Sequence, residues 1–130
     1  MFKIKIITNF SSAHYLREYK GKCENLHGHN WKVEVFAERE KLDSLGMVMD
    51  FSYLKKITIA VLEELDHKCL NDLDYFSVKN VPIGKAHNPS SEEIARYIYI
   101  KLKNDIFIRG CTLDEVRVWE TDTSCASYRE

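Results

Sequence analysis

The hydrophobic period of this chain changes twice along its length, and that change limits the fold more than any other feature. Near the start, Phe2, Ile4 and Ile6 share one face while Lys3 and Lys5 take the other, the two-residue repeat of a strand. The alternation runs on to about Ala13. After a polar stretch from Arg17 to Gly28 it resumes, with Trp31, Val33, Val35 and Ala37 set against Lys32, Glu34 and Phe36. From Asp50 the repeat becomes helical: Phe51, Leu54, Ile57, Val61 and Leu65 recur at steps of three and four, with Asp50 or Ser52 as cap and an end near Asp66-His67. A loop-like segment follows. Ser90-Ser91-Glu92-Glu93 then opens a second helix, Ser90 and Glu93 fitting a capping box. Its stripe is Ile94, Tyr97, Ile98 and Leu102, and Gly110 lies beyond its end. Alternation returns at Val116 and Val118 through Glu120, and Ala126-Ser127-Tyr128 follows a turn at Asp122 to Ser124. The order ββααββ predicts an α+β fold, an antiparallel sheet backed by two helices. Apolar side chains on both faces of the second strand (Trp31, Val33 and Val35 against Phe36) imply that another subunit covers the sheet's second face.

The chain has 130 residues and no Pro/Gly/Ser linker or internal repeat, so a single domain over 1–130 is expected. With 19 basic and 20 acidic residues the net charge is −1, and neither a nucleic-acid nor a membrane-surface partner is expected from bulk charge. No apolar run reaches the ~18 residues of a membrane span. The opening alternation of apolar and basic residues is not an export signal, which places the chain in the cytoplasm as an expectation. Cys23, Cys69, Cys111 and Cys125 form no CxxC pair and read as thiols, the last three as packing residues.

His27-Gly28-His29 places two imidazoles at positions i and i+2 of a strand, hence on one face. His14 lies at the end of the strand expected to pair with it. Three neutral imidazoles with an open fourth position form the donor set of catalytic zinc. Copper, iron and nickel also accept imidazole, and three unrelated surface histidines are the plainer alternative. Cys23, four residues before His27, reads equally as a base or nucleophile of lowered pKa, or as a small buried thiol or a fourth, closing zinc ligand. Asp66-His67 carries the carboxylate and imidazole of a proton relay. Adjacent side chains do not normally bond each other, however, and a plain helix end explains the pair as well. Glu120 suits a guanidine-like heterocycle edge if buried; otherwise it is a solvated strand residue. Asp50, Ser90 and Ser91 are explained as helix caps.

At these residues the chain resembles the 6-pyruvoyl-tetrahydropterin synthase family, and within it the 6-carboxy-5,6,7,8-tetrahydropterin synthases of queuosine biosynthesis. The resemblance spans essentially the whole chain. It rests on Phe10-Ser11-Ser12-Ala13-His14, Cys23-Glu24-Asn25-Leu26-His27-Gly28-His29, Gly46-Met47-Val48-Met49-Asp50-Phe51, Leu65-Asp66-His67 with Leu70-Asn71, Asn88-Pro89-Ser90-Ser91-Glu92, and Glu120-Thr121 with Ala126 and Tyr128. It implies the tunnelling fold, in which subunits join sheets edge to edge into a barrel, commonly a homohexamer with active sites between subunits. His14, His27 and His29 match the family's zinc ligands, Cys23 its base, Asp66 and His67 its proton relay, and Glu120 the carboxylate that anchors the pterin. Ser90 stands where the family usually has Thr and keeps the hydroxyl.

The implied activity is that of a lyase. It converts 7,8-dihydroneopterin triphosphate to 6-carboxy-tetrahydropterin with release of acetaldehyde and triphosphate, and Arg17, Lys20 and Lys22 are candidates for the triphosphate. The short Cys23 to His27 spacing looks like the queuosine-type enzymes rather than the biopterin type. Glu24 stands where one branch of the family uses Glu in place of Cys to make 6-hydroxymethyl-dihydropterin for folate. A metal-binding assembly protein on the same scaffold would keep the histidines and need none of Cys23, His67 and Glu120.

Overall fold

The structure, a computed structural model, describes residues 1–18, 25–79, 81–82 and 85–130. The two alternating runs become long strands, β1 (Phe2–His14) and β2 (His27–Arg39). They pair antiparallel from Phe2↔Arg39 to His14↔His27. The first helical run is α1 (Phe51–Glu63) and the second is α2 (Ser91–Phe107). The chain then returns as β3 (Thr112–Thr121) and β4 (Ser124–Tyr128). The sheet order is β1-β2-β3-β4, every neighbour antiparallel, in the expected ββααββ order.

Both helices cover one face of the sheet. The core joins Ile6, Phe10, Trp31, Val33, Val35, Val116 and Val118 of the strands to Leu54, Leu62, Ile94, Ile98, Leu102 and Ile106 of the helices. The buried stripe of α1 is Leu54, Thr58 and Leu62, one step round from the expected Phe51-based stripe. Phe51, at the first turn, is exposed. Thr58 tolerates burial by donating its hydroxyl to the Leu54 carbonyl at 2.7 Å, the usual back-bond of a helical hydroxyl. Asp50 caps α1, accepting from the Ser52 N–H at 2.7 Å. Ser90 caps α2, accepting from the Glu93 N–H at 3.3 Å. Only half of the capping box forms, since the Glu93 carboxylate faces Tyr75, Arg96 and His87 instead.

On the helix-free face Phe36 lies between Lys5 and Arg117, at 5.7 and 5.1 Å. Glu34, buried on that face, faces Lys5 at 3.4 Å, Arg117 at 3.4 Å and the Trp119 indole N–H at 3.3 Å. A buried carboxylate survives there because it is paired and hydrogen-bonded. Of the three cysteines read as packing residues, Cys111 is buried and Cys69 partly so, whereas Cys125 is exposed. It stands at the start of the short edge strand β4, which has no neighbouring strand on its outer side among the described residues.

Candidate metal centre and active site

The register of β1 on β2 builds the centre. Inward-facing positions continue past the apolar core to the strand ends, where they become Ser12 and His14 on β1 and His29 and His27 on β2, with His14 directly opposite His27 and Ser12 opposite His29. Trp31, with no exposure, forms the floor: its ring centroid lies 4.9 Å from that of His14 and 5.0 Å from that of His29. Glu120 enters from β3, one step beyond the Lys32↔Trp119 pair. One donor atom from each of His14, His27, His29 and Glu120 lies within 4.8 Å of the others.

Two of the rings are oriented by backbone carbonyls. Nδ1 of His14 donates to the Pro89 carbonyl at 2.7 Å, and Nδ1 of His27 donates to the Asn25 carbonyl at 2.6 Å. The remaining nitrogens, the two Nε2 atoms, then meet at 3.1 Å as lone-pair donors. Tetrahedral zinc with bonds of about 2.0–2.1 Å would hold two nitrogens roughly 3.3 Å apart. Nδ1–H to carbonyl bonding is the usual outer support of a metal-bound histidine. Nε2 of His29 is buried and has no hydrogen-bond partner among the described residues; Glu120 Oε1 lies 2.9 Å away without the direction of a hydrogen bond. An orphaned buried nitrogen facing two other imidazoles and a carboxylate is the donor set of a borderline-soft divalent cation, and the residues fit zinc. Burial, first of all, lowers the pKa of both His14 and His29 below 6.5. Both rings are therefore neutral, and ligand-competent, at pH 7.

Beside the cluster lies an open cavity of ≈ 280 Å³ whose wall includes His14, Ser90, Ser91, Glu120 and Cys125. Glu120 spans metal cluster and cavity: Oε1 is turned to His29, and Oε2 accepts from the Ser91 hydroxyl at 3.5 Å. Cys125 is therefore not the packing residue its sequence context predicts: it is exposed and lines the cavity.

Asp66 and His67 do not line this cavity. They lie on the free edge of β1, where Asp66 accepts from the Ser11 N–H at 2.9 Å and the His67 N–H donates to the Ser11 carbonyl at 2.6 Å. Contrary to expectation the two adjacent side chains do meet, His67 Nδ1 lying 2.8 Å from an Asp66 oxygen. His67 has φ +55°, in the left-handed region, which turns its ring back over the preceding residue. The Ser11 N–H, and after it His67, hold the Asp66 carboxyl below its usual range. The His67 side chain is 82% exposed. Arg17 donates from its guanidinium to the His87 carbonyl at 2.9 Å. Cys23, Glu24, Lys20 and Lys22 lie outside the described residues.

Three contributors escaped the sequence reading. The Pro89 and Asn25 carbonyls carry no side-chain signal. Ser91 was read only as a cap, yet its hydroxyl reaches Glu120 while Ser90 does the capping.

Among known proteins, the family model for 6-pyruvoyl tetrahydropterin synthase matches residues 3–130. The chain is 35% identical, over all of both chains, to a Haemophilus influenzae protein named 6-carboxy-5,6,7,8-tetrahydropterin synthase. It is 38% identical to a Synechocystis protein of the same name, over 92% of this chain and 87% of that one. The solved 6-pyruvoyl tetrahydropterin synthase of Caenorhabditis elegans superposes with a TM-score of 0.79 at 30% identity, covering 99% of this chain and 95% of that one. A tunnelling-fold architecture, an end-to-end family match and full-length relatives above 30% identity converge: the chain belongs to the 6-pyruvoyl tetrahydropterin synthase family.

Proposed function

We propose that this protein is a zinc-dependent cytoplasmic lyase of queuosine (7-deazapurine) biosynthesis, converting 7,8-dihydroneopterin triphosphate to 6-carboxy-5,6,7,8-tetrahydropterin with release of acetaldehyde and triphosphate. The observation that carries this reading is the convergence of His14, His27 and His29 with Glu120 beside an open cavity. The full-length relatives named for that product support it.

His14, His27 and His29 would hold the zinc, which when bound supplies a Lewis acid that polarises the oxygens of the substrate side chain. Glu120 accepts N–H donors from the guanidine-like edge of the pterin, a charge-assisted pair in a partly dry cavity. The Ser91 hydroxyl donates to that carboxylate, and Ser90 lines the cavity beside it. Cys23, as thiolate, removes a proton from a carbon of the substrate side chain, and His67, oriented by Asp66, returns protons. The exposed Asp66–His67 pair serves the cavity of a neighbouring subunit in a homohexamer, the edge of β1 ahead of Ser11 and the edge of β4 joining between copies.

Anaerobic turnover of dihydroneopterin triphosphate, with acetaldehyde and pterin products quantified together, tests the assignment. Equal yields of acetaldehyde and carboxy-pterin are expected. A pyruvoyl-pterin without acetaldehyde would assign the 6-pyruvoyl reaction instead, and 6-hydroxymethyl-dihydropterin as main product would assign the base to Glu24. Absence of pterin affinity in zinc-loaded protein would revive the non-catalytic reading. Cys23→Ala should abolish product while zinc stays bound; zinc loss in that variant would make Cys23 a structural ligand.

A further inference from the structure

The free edge of β1 is occupied at every second residue from Ser11 to Arg17, and past the strand's end the partners are side chains. Ser11 bonds Asp66 and His67 as described, and the Ala13 N–H donates to the Lys68 carbonyl at 2.9 Å. Beyond His14, the Asn71 side-chain oxygen accepts from the Tyr15 N–H at 3.0 Å while its NH₂ donates to the Tyr15 carbonyl at 2.9 Å. Asn88 repeats the arrangement two residues on, accepting from the Arg17 N–H at 3.0 Å and donating to the Arg17 carbonyl at 3.2 Å. A primary amide offers the same acceptor and donor as a peptide group. Each asparagine therefore replaces one residue of a neighbouring strand. Together they tie down the backbone at Tyr15 and Arg17, the second at the start of the turn that includes Glu18, φ +60°.

The two amides come from different places. Asn71 is buried in the 3-10 turn that follows Asp66-His67. Asn88 precedes Pro89, whose carbonyl orients His14, and Ser90, which caps α2.

We propose that Asn71 and Asn88 are positioning residues, paired amide clamps that fix Tyr15 and Arg17 where the chain leaves the histidine cluster, six residues before Cys23 in the sequence. Neither touches the metal donors. The catalytic part of this inference rests on the reading of Cys23 as the base.

Asn88→Ala carries the test, because Asn88 is only half-buried and its loss leaves the core intact. Asn88→Asp keeps the acceptor for the Arg17 N–H and removes the donor. Full-chain zinc-loaded proteins would be compared by amide hydrogen exchange over residues 14–18, zinc stoichiometry, thermal midpoint, and kcat against KM. In Asn88→Ala, loss of protection at Arg17 is expected with zinc stoichiometry kept. A fall in kcat of about tenfold or more is expected too, with KM within about twofold, the signature of a displaced group rather than lost affinity. Asn88→Asp should retain part of the protection and part of the kcat. Unchanged exchange at Arg17 overturns the proposal, as does lost protection with wild-type kcat. Zinc loss in step with activity also overturns it, since Asn88 would then act only through Pro89 and His14. A wild-type protein that does not turn over the pterin sinks the proposed function alone; the exchange data still decide whether the clamps hold the segment.

Discussion

At the scale of single residues, the centre is prepared by groups that protect neutral imidazole. His14 is held by a carbonyl 75 residues away, which leaves Nε2 free for the cluster. His29→Ala removes the orphaned buried nitrogen. Metal affinity should fall by more than about 100-fold, since losing an outer-shell partner alone typically costs 10- to 100-fold; competition with a colorimetric chelator measures it. Glu120→Gln separates two roles: as pterin anchor, zinc stays and KM rises; as metal ligand, zinc stoichiometry drops. The pH dependence follows from the lowered pKa of His14 and His29. A histidine with a depressed folded pKa takes fewer protons folded than unfolded in the interval below 6.5, so its stabilising effect is complete above 6.5 and is lost as pH falls through that interval. Metal-free protein should therefore show a thermal midpoint that is flat above pH 6.5 and declines below it. Bound zinc competes with those protons and should move the decline to lower pH.

At the scale of elements, capping and turn chemistry carry separable effects. Ser90→Ala removes the cap of α2 and should cost about 1 kcal/mol, a drop of roughly 3–5 °C in thermal midpoint for a domain of this size. Gly110, at φ +75°, closes α2 into β3. A Cβ there meets the Arg39 guanidinium at 3.5 Å, ordinary contact, so the penalty of Gly110→Ala is the left-handed backbone itself, about 1–2 kcal/mol. Activity at low temperature should be unchanged in that variant, because Gly110 lies at the end of the sheet away from the cluster. Helix and strand identities were legible because period and caps are local. The buried stripe of α1 was legible only to within one position. Which residues of an amphipathic stripe become fully covered depends on what packs against the helix, and Phe51 at the first turn stays exposed.

For the whole molecule, the apolar core and the His14, His27, His29 and Glu120 cluster are stacked along the same sheet face but stabilised separately. Trp31, Val33 and Val35 are fully buried against Leu54, Ile94 and Ile98, and that packing needs no metal. Chelated protein should keep its far-ultraviolet circular dichroism, with a thermal midpoint that rises with the logarithm of added zinc, as for any ligand that binds the folded state alone. Loss of secondary structure on chelation would show instead that the metal holds the fold.

The sequence by itself determined the elements, their order and the pairing of His27 with His29 on one face, since a strand places i and i+2 side by side whatever surrounds it. It also marked His14, Asp66, His67 and Glu120 as chemistry-bearing residues without joining them. Only the tertiary structure decided that His14 stands opposite His27, that Glu120 enters the cluster from β3, and that a proline carbonyl orients a ring. The left-handed backbone that lets His67 fold onto Asp66, and the two asparagines that tie down the chain beyond the end of β1, belong to the same class. These contacts depend on strand register and on loops brought against a sheet edge, and no local period encodes either.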